Sequence, residues 1–216
     1  MSPWSIRLCI ASAAVGLAGC TSHGLHLTAT PLPRGTWQAG VVISAIAQDR
    51  GLGFEVLPNP EFSLRWGLTE DLDLGGRVNV AGLALNTRYR VLRARSWSMA
   101  LVPETGFGLN TSTNDDIGPL AAVFGLGLLT DLRIGGVATA VFGVRFRSQL
   151  EFSNIAFLGR WQGKWVVMPG GTLGVRFEVA PGLFLFPELS LLARYDTLAT
   201  RWLPPTGQLG VAIEWL

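Results

Sequence analysis

Eight arginines and five carboxylates are the residues best placed to do chemistry in this chain. Arg65, Arg77, Arg88, Arg90, Arg145, Arg147, Arg176 and Arg194 share one face of segments that alternate in polarity, and Asp73, Glu104, Glu178, Glu188 and Glu214 share it with them. Guanidinium groups bind carboxylates and phosphates through paired, charge-assisted hydrogen bonds. Two kinds of chemistry follow. The ions can neutralise one another across a narrow interior, because an unpaired charge in a nearly dry space is very costly. Alternatively, the excess of arginine leaves that interior positive and able to attract small anions or an acidic solute.

Catalysis has less to stand on. The two histidines, His23 and His26, both lie near the N-terminus, with no carboxylate and no cysteine but Cys20 beside them. General-base work needs a group titrating near neutrality, and no histidine follows His26. The chain has no nucleophile elbow, zinc motif or phosphate-binding GxxxxGK[ST] loop. No enzyme activity, metal or cofactor is expected.

The elements that would position these charges have a hydrophobic period of two, which marks β-strands. In "EFSLRWGL" (61–68), Phe62, Leu64, Trp66 and Leu68 oppose Ser63, Arg65 and Gly67. "LDLGGRVNVA" (72–81) sets Leu72, Leu74, Val78 and Val80 against Asp73, Gly75, Arg77 and Asn79. The same parity runs through 83–91, 99–110, 138–147, 165–179, 183–195 and 208–216, with no charge on the apolar face. Ten strands are expected, at about 36–48, 61–68, 71–81, 83–92, 97–110, 119–129, 132–148, 165–179, 183–195 and 208–216. The weak point is "VAG" (80–82), which must form a very short turn; without it the count is eight.

Three features favour a transmembrane antiparallel up-and-down β-barrel over a soluble sandwich. The segments are long enough to cross a bilayer with tilted strands. Tight turns near 69–71, 92–96, 130–131 and 180–182 alternate with longer loops at 49–60, 111–118, 148–164 and 196–207. Outward aromatics then fall into two bands, Trp37, Trp66, Tyr89, Trp97, Phe177 and Trp215 at the short-turn end and Phe62, Phe107, Phe146, Trp165 and Tyr195 at the other. Inward glycines, among them Gly67, Gly75 and Gly210, leave room for long arginines. A lipocalin-like binding barrel remains as an alternative, with the apolar face turned inward around a ligand.

Composition agrees with a membrane barrel. The chain of 216 residues is 49% hydrophobic and only 15% charged, with 27 glycines. An ordinary soluble domain carries about 25% charged residues. Beyond residue 20 no apolar run approaches the roughly 18 residues of a spanning helix. Its net charge of +2 gives no reason to expect nucleic acid as a partner.

The N-terminus looks like a targeting segment: Arg7 precedes the apolar "LCIASAAVGLAG" (8–19), the size of a signal-peptide core. Its end, "LAGC" (17–20), resembles the lipobox of bacterial lipoproteins. That resemblance implies removal of residues 1–19, lipidation of Cys20 and, because Thr21 is not Asp, sorting to the outer membrane. A plain signal peptide with an incidental Cys20 is the alternative. Residues 20–35 then form a lipid-anchored periplasmic tether, and residues 36–216 the barrel. The final "GQLGVAIEWL" resembles the C-terminal strand of outer-membrane barrels, although Leu216 follows the aromatic Trp215. It implies outer-membrane lipids as surroundings and the barrel-assembly machinery as a partner in biogenesis.

Two further stretches carry expectations. "GLTEDLDLGG" (67–76) and "GLLTDLRIGG" (127–136) look like two hairpins of one kind, with Asp71 and Asp131 as turn formers. "QLEFSNIAFLGRWQGK" (149–164) is the longest loop, and with Phe152, Phe157 and Trp161 it is a candidate plug for the barrel mouth or a partner contact.

Overall fold

In the computed structural model, ten antiparallel strands close into a barrel; the described residues are 24–49, 54–79, 82–109, 120–155 and 160–216. In chain order the strands are β1 (Trp37–Asp49), β2 (Phe54–Gly67), β3 (Leu72–Asn79), β4 (Gly82–Arg93), β5 (Trp97–Leu109), β6 (Leu120–Ile134), β7 (Ala138–Ile155), β8 (Arg160–Ala180), β9 (Leu183–Asp196) and β10 (Arg201–Trp215). Each pairs with its neighbour in sequence, and β1 closes the ring on β10 with Val41 opposite Ile213. The count is ten, not eight. β3 and β4 pair as far as Asn79 opposite Gly82, and residues 80–81 of the expected "VAG" turn lie outside the described residues.

Alternation sets the two faces. On β2, Phe62 is 62% exposed on the outside, while Glu61 (1%) and Arg65 (5%) are buried within. The pattern holds around the ring: Leu64, Leu85, Val144, Leu173, Leu191 and Leu209 are exposed, and the buried set is rich in arginine, carboxylate and amide side chains. An apolar outside around a polar inside is the inverse of a soluble barrel and belongs in hydrocarbon. It rules out the lipocalin-like alternative, whose apolar face would point inward. Both aromatic bands are on the outer wall, and Trp37 stacks on Trp66 at 5.4 Å at the short-turn end. In the other band, Tyr195 is only half-buried against Trp202.

Several boundaries differ from those expected. The turns at the short-turn end are 68–71, 94–96, 135–137 and 181–182, so residues 130–131 lie within β6. There the chain turns instead at Gly135, whose φ of +67° strains any residue with a Cβ. The two similar decapeptides are therefore not equivalent: the first contains a turn at 68–71, whereas the second is strand up to Ile134. At the far end the strands run into the expected loops. β1 and β2 pair out to Asp49 opposite Phe54, and β7 and β8 out to Ile155 opposite Arg160.

Four prolines within the expected loops 49–60 and 196–207 lie instead in strands, where a missing N–H does no harm. Pro58 and Pro60 lie on β2 beyond Glu61, past the described end of β3, where that edge of the strand has no partner among the described residues. Pro204 and Pro205 occupy the register shift between Leu203 and Thr206. The expected plug at 149–164 is strand on both sides, and residues 156–159, including Phe157, lie outside the described residues.

Candidate functional site: a lumen filled by the N-terminal segment

Residues 24–33 run inside the barrel. Gly24, Leu25, His26, Leu27, Thr28, Ala29 and Leu32 are buried, so this stretch is not the periplasmic tether expected of it. The signal for this was present: Leu25, Leu27 and Ala29 alternate with His26, Thr28 and Thr30. The apolar set packs against Ala100, Val102 and Leu129 on the inner faces of β5 and β6. Inward glycines make way for the segment. A Cβ on Gly67 would collide with the Pro33 carbonyl, and one on Gly210 would press on the His26 ring.

A chain threaded through a lumen has no ladder to satisfy its amides, so the wall must supply acceptors. It does so with carboxylates. Glu188 accepts from the Leu25 and His26 N–H groups at 2.7 and 2.6 Å, and Asp131 from those of Ala29 and Thr30 at 2.5 and 2.8 Å. Asp73 accepts from Leu32 at 2.9 Å, and the Gln208 side-chain oxygen from Gly24 at 2.8 Å. Successive amides converging on one anion form a nest, and His26 has the left-handed φ of 45° that such a turn uses. Carbonyls of the segment are met in turn by guanidinium donors. Arg77 donates to Gly24, and Arg88 to the Thr28 carbonyl and hydroxyl at 2.8 and 2.9 Å.

The same side chains form the ionic network of the wall. Asp73 holds Arg65 and Arg88, and Arg65 also donates to Asn86. Glu104 binds Arg77 at 2.7 Å and Arg145 at 3.0 Å. Arg147 is 2% exposed, deep in the lumen. Nearer the short-turn mouth, Arg176 is half-buried, donates to Glu214 at 2.8 Å and lies 3.5 Å over the Phe184 ring. Arg90 pairs there with Asp71 at 2.6 Å. Arg194 is half-buried on the inward parity of β9. Glu178 is exposed at the rim and does not line the lumen: β8 has passed the barrel mouth there, and the strand bulges between Glu178 and Ala180.

The inner wall carries more acid than expected. Glu61, Asp131, Glu151 and Asp196 are also buried, and Asp131 is a capping residue inside β6 instead of a turn former. All four follow the inward parity of their strands; Glu61 already lies in the expected strand 61–68, and the other three are identified once the strand boundaries are known. Among the described residues, the buried charges are six arginines (Arg65, Arg77, Arg88, Arg90, Arg145, Arg147) and eight carboxylates (Glu61, Asp73, Glu104, Asp131, Glu151, Glu188, Asp196, Glu214). With the half-buried Arg176, Arg194 and Lys164, which pairs with Glu151 at 3.1 Å, the inner wall holds nine cations to eight carboxylates, so the expected surplus of arginine is nearly cancelled.

A cavity of about 210 Å³ remains beside the segment at the short-turn end, walled by Thr30, Leu32, Arg88, Asp131, Arg176 and Glu214. The His26 ring is 4% exposed, edge-on to Phe186 at 6.1 Å, and neither nitrogen has a hydrogen-bond partner among the described residues. No group of three His, Cys, Asp or Glu side chains is placed to hold a metal among them. His23 and Cys20 lie outside the described residues.

No family model matches the chain, and no curated protein matches it by sequence. Among solved structures it is similar to Neisserial surface protein A, at 11% identity and a TM-score of 0.47, over 83% of this chain and 96% of that one. It is similar to the N-terminal β-barrel domain of OprF from Pseudomonas aeruginosa, at 11% identity and a TM-score of 0.38, over 82% and 97%. The outer membrane protease OmpT from Escherichia coli gives 10% identity and a TM-score of 0.41, over 83% and 96%. Likeness at this level says nothing about activity, and the fold rests on the strand pairings themselves.

Proposed function

We propose that this protein is an outer-membrane barrel sealed by its own N-terminal segment, an envelope protein of structural role with neither an open pore nor a catalytic site. The capping of successive amides of residues 24–33 by Glu188 and Asp131 carries the reading. Nearly balanced charge on the inner wall supports it over a narrow anion-selective channel, which needs a marked surplus of arginine. The membrane-facing wall with its two aromatic bands supports the outer membrane as location, with its lipids as surroundings and the barrel-assembly machinery as partner in biogenesis. Reconstitution into planar bilayers tests the seal. The full chain is expected to be silent, and a Glu188→Gln, Asp131→Asn double variant to show intermittent conductance steps. Steady conductance from the unaltered chain would refute it.

A lipid on Cys20 in the periplasmic leaflet would impose a further condition. Gly24 is bound to Gln208, which lies seven residues up β10 from Trp215. That is roughly 16 Å along the axis of a tilted strand. The four residues from Gly24 back to Cys20 span at most about 14 Å, and residues 25–33 already occupy the way down. Periplasmic anchoring at Cys20 and the seated segment are therefore alternative states in this proposal. Mass spectrometry of the mature chain, paired with the conductance of the lipidated fraction, tests this. Lipidated protein that is fully silent would contradict it.

A further inference from the structure

At the short-turn mouth, β4 ends in the run Tyr89-Arg90-Val91-Leu92-Arg93. Strict alternation from Arg88 and Arg90 would turn Leu92 inward and leave Arg93 on the membrane side. The strand avoids this with a bulge: the register shifts between Arg90 and Leu92, so that Leu92 faces Met99 and Arg93 faces Ser98. Ser98 is buried on the inner face, and Arg93 thereby rejoins the inward set, while Val91 and Leu92 both stay exposed outside. Bulges of this kind re-aim a side chain at the rim of a barrel. On the next strand pair Ser98 faces Asp131, and Arg133 follows two residues later on the same face. Arg95 joins them from the 94–96 turn.

These arginines are not part of the sealing network. Arg90 is answered by Asp71 and by the Glu70 carbonyl at 2.7 Å. Arg93, Arg95 and Arg133 are exposed and have no ion pair among the described residues. They line one cavity of about 290 Å³, into which Thr30 and Ser98 also face. Glu70 is the one carboxylate on its wall. Three guanidinium forks and two hydroxyls around one space exceed what a planar carboxylate can use, whereas a tetrahedral oxyanion can accept from several of them at once. Tyr89, Leu92 and Trp97 on the outer wall at this level are exposed, which puts the cavity at the height of phospholipid headgroups.

We propose that this arginine-lined mouth is a binding site for a phosphate-bearing anion, the phosphate of a glycerophospholipid headgroup or of a soluble phosphate ester. It does not depend on whether the lumen conducts. The full chain in a zwitterionic detergent is titrated calorimetrically with inorganic phosphate and with glycerol phosphate. Native mass spectrometry then compares phosphatidylglycerol with diacylglycerol, which lacks the phosphate. Binding in either arm is expected to weaken about tenfold in Arg93→Gln and about a hundredfold with Arg133→Gln added. Arg201→Gln, an exposed arginine at the far end, is expected to leave it unchanged. Binding of phosphatidylglycerol alone assigns the headgroup as ligand, and binding of the soluble probes alone assigns the ester. All these side chains are exposed, so the variants stay folded, which heat-resistant electrophoretic migration checks. No binding of any probe, retention of phosphatidylglycerol no better than of diacylglycerol with both soluble probes unbound, or equal weakening by Arg201→Gln, overturns the proposal.

Discussion

Toward the short turns, the barrel is filled by main chain: residues 24–33, with Asp73, Asp131 and Glu188 taking up their amides. Toward the other mouth it is filled by side chains of the wall itself, with Val166, Met168 and Leu192 packed together and Gln149 and Glu151 hydrogen-bonded at 3.2 Å. A side-chain filling cannot leave without unfolding the strands that carry it. A main-chain filling can, because covalent structure ties it to the wall only through β1. The near half therefore needs strong, directional capping to stay closed, and the far half needs only volume.

Deleting residues 24–33 should give the largest effect. Leu25, Leu27 and Ala29 leave the cluster with Val102 and Leu129, and Asp131 and Glu188 lose the amides that neutralise their burial. A loss of stability on the order of 5 kcal/mol is expected in urea unfolding, together with frequent conductance steps in bilayers. A silent, fully stable deletion variant would show that the far half seals the barrel by itself.

Asp73→Asn comes next and probes the capping without removing the segment. Asp73 is fully buried and serves Arg65, Arg88 and the Leu32 amide together. An amide in its place presents an N–H group toward a guanidinium and leaves two buried cations poorly compensated. The expected cost is about 3–5 kcal/mol, with faster hydrogen exchange at Leu32.

Leu192→Ala makes the matching change in the far half. It opens a cavity against Val166 and Met168 and should cost about 2–4 kcal/mol, yet the bilayer should stay silent because the near half is untouched. Conductance from this variant would collapse the distinction between the two halves.

How much of this was legible in the sequence follows the same division. Strand parity alone placed Arg65, Arg77, Arg88, Arg145 and Arg147 on the inner wall, because in a barrel the period of two fixes the face of every residue. Parity also covers Glu61, the first residue of the strand expected at 61–68, and it covers Asp131 and Glu151 once the strand ends are known. Asp, Pro and Gly at those ends resemble turns in any local reading. Asp131 sits beside Leu132, Arg133 and Ile134 and passes for a turn former until its distant partners, Ala29 and Thr30, are in place. The seated segment was hardest to see. Its alternation of Leu25, Leu27 and Ala29 is brief, and nothing local distinguishes a segment seated in a lumen from a linker in water.

Thr28→Ala should produce the smallest effect and marks where capping ends and packing begins. Arg88 donates to both the Thr28 carbonyl and its hydroxyl, at 2.8 and 2.9 Å. The substitution removes the γ-methyl and the hydroxyl, with its bond to the Thr30 carbonyl at 3.2 Å, but the guanidinium keeps the Thr28 carbonyl and its contact with Asp73. The loss should be under about 1 kcal/mol, with no conductance and unchanged exchange at Leu32. If Thr28→Ala instead opened the barrel as readily as loss of the whole segment, side-chain donors would be holding the seal. The main-chain nests on Glu188 and Asp131 would then be a consequence of the seating and not its cause.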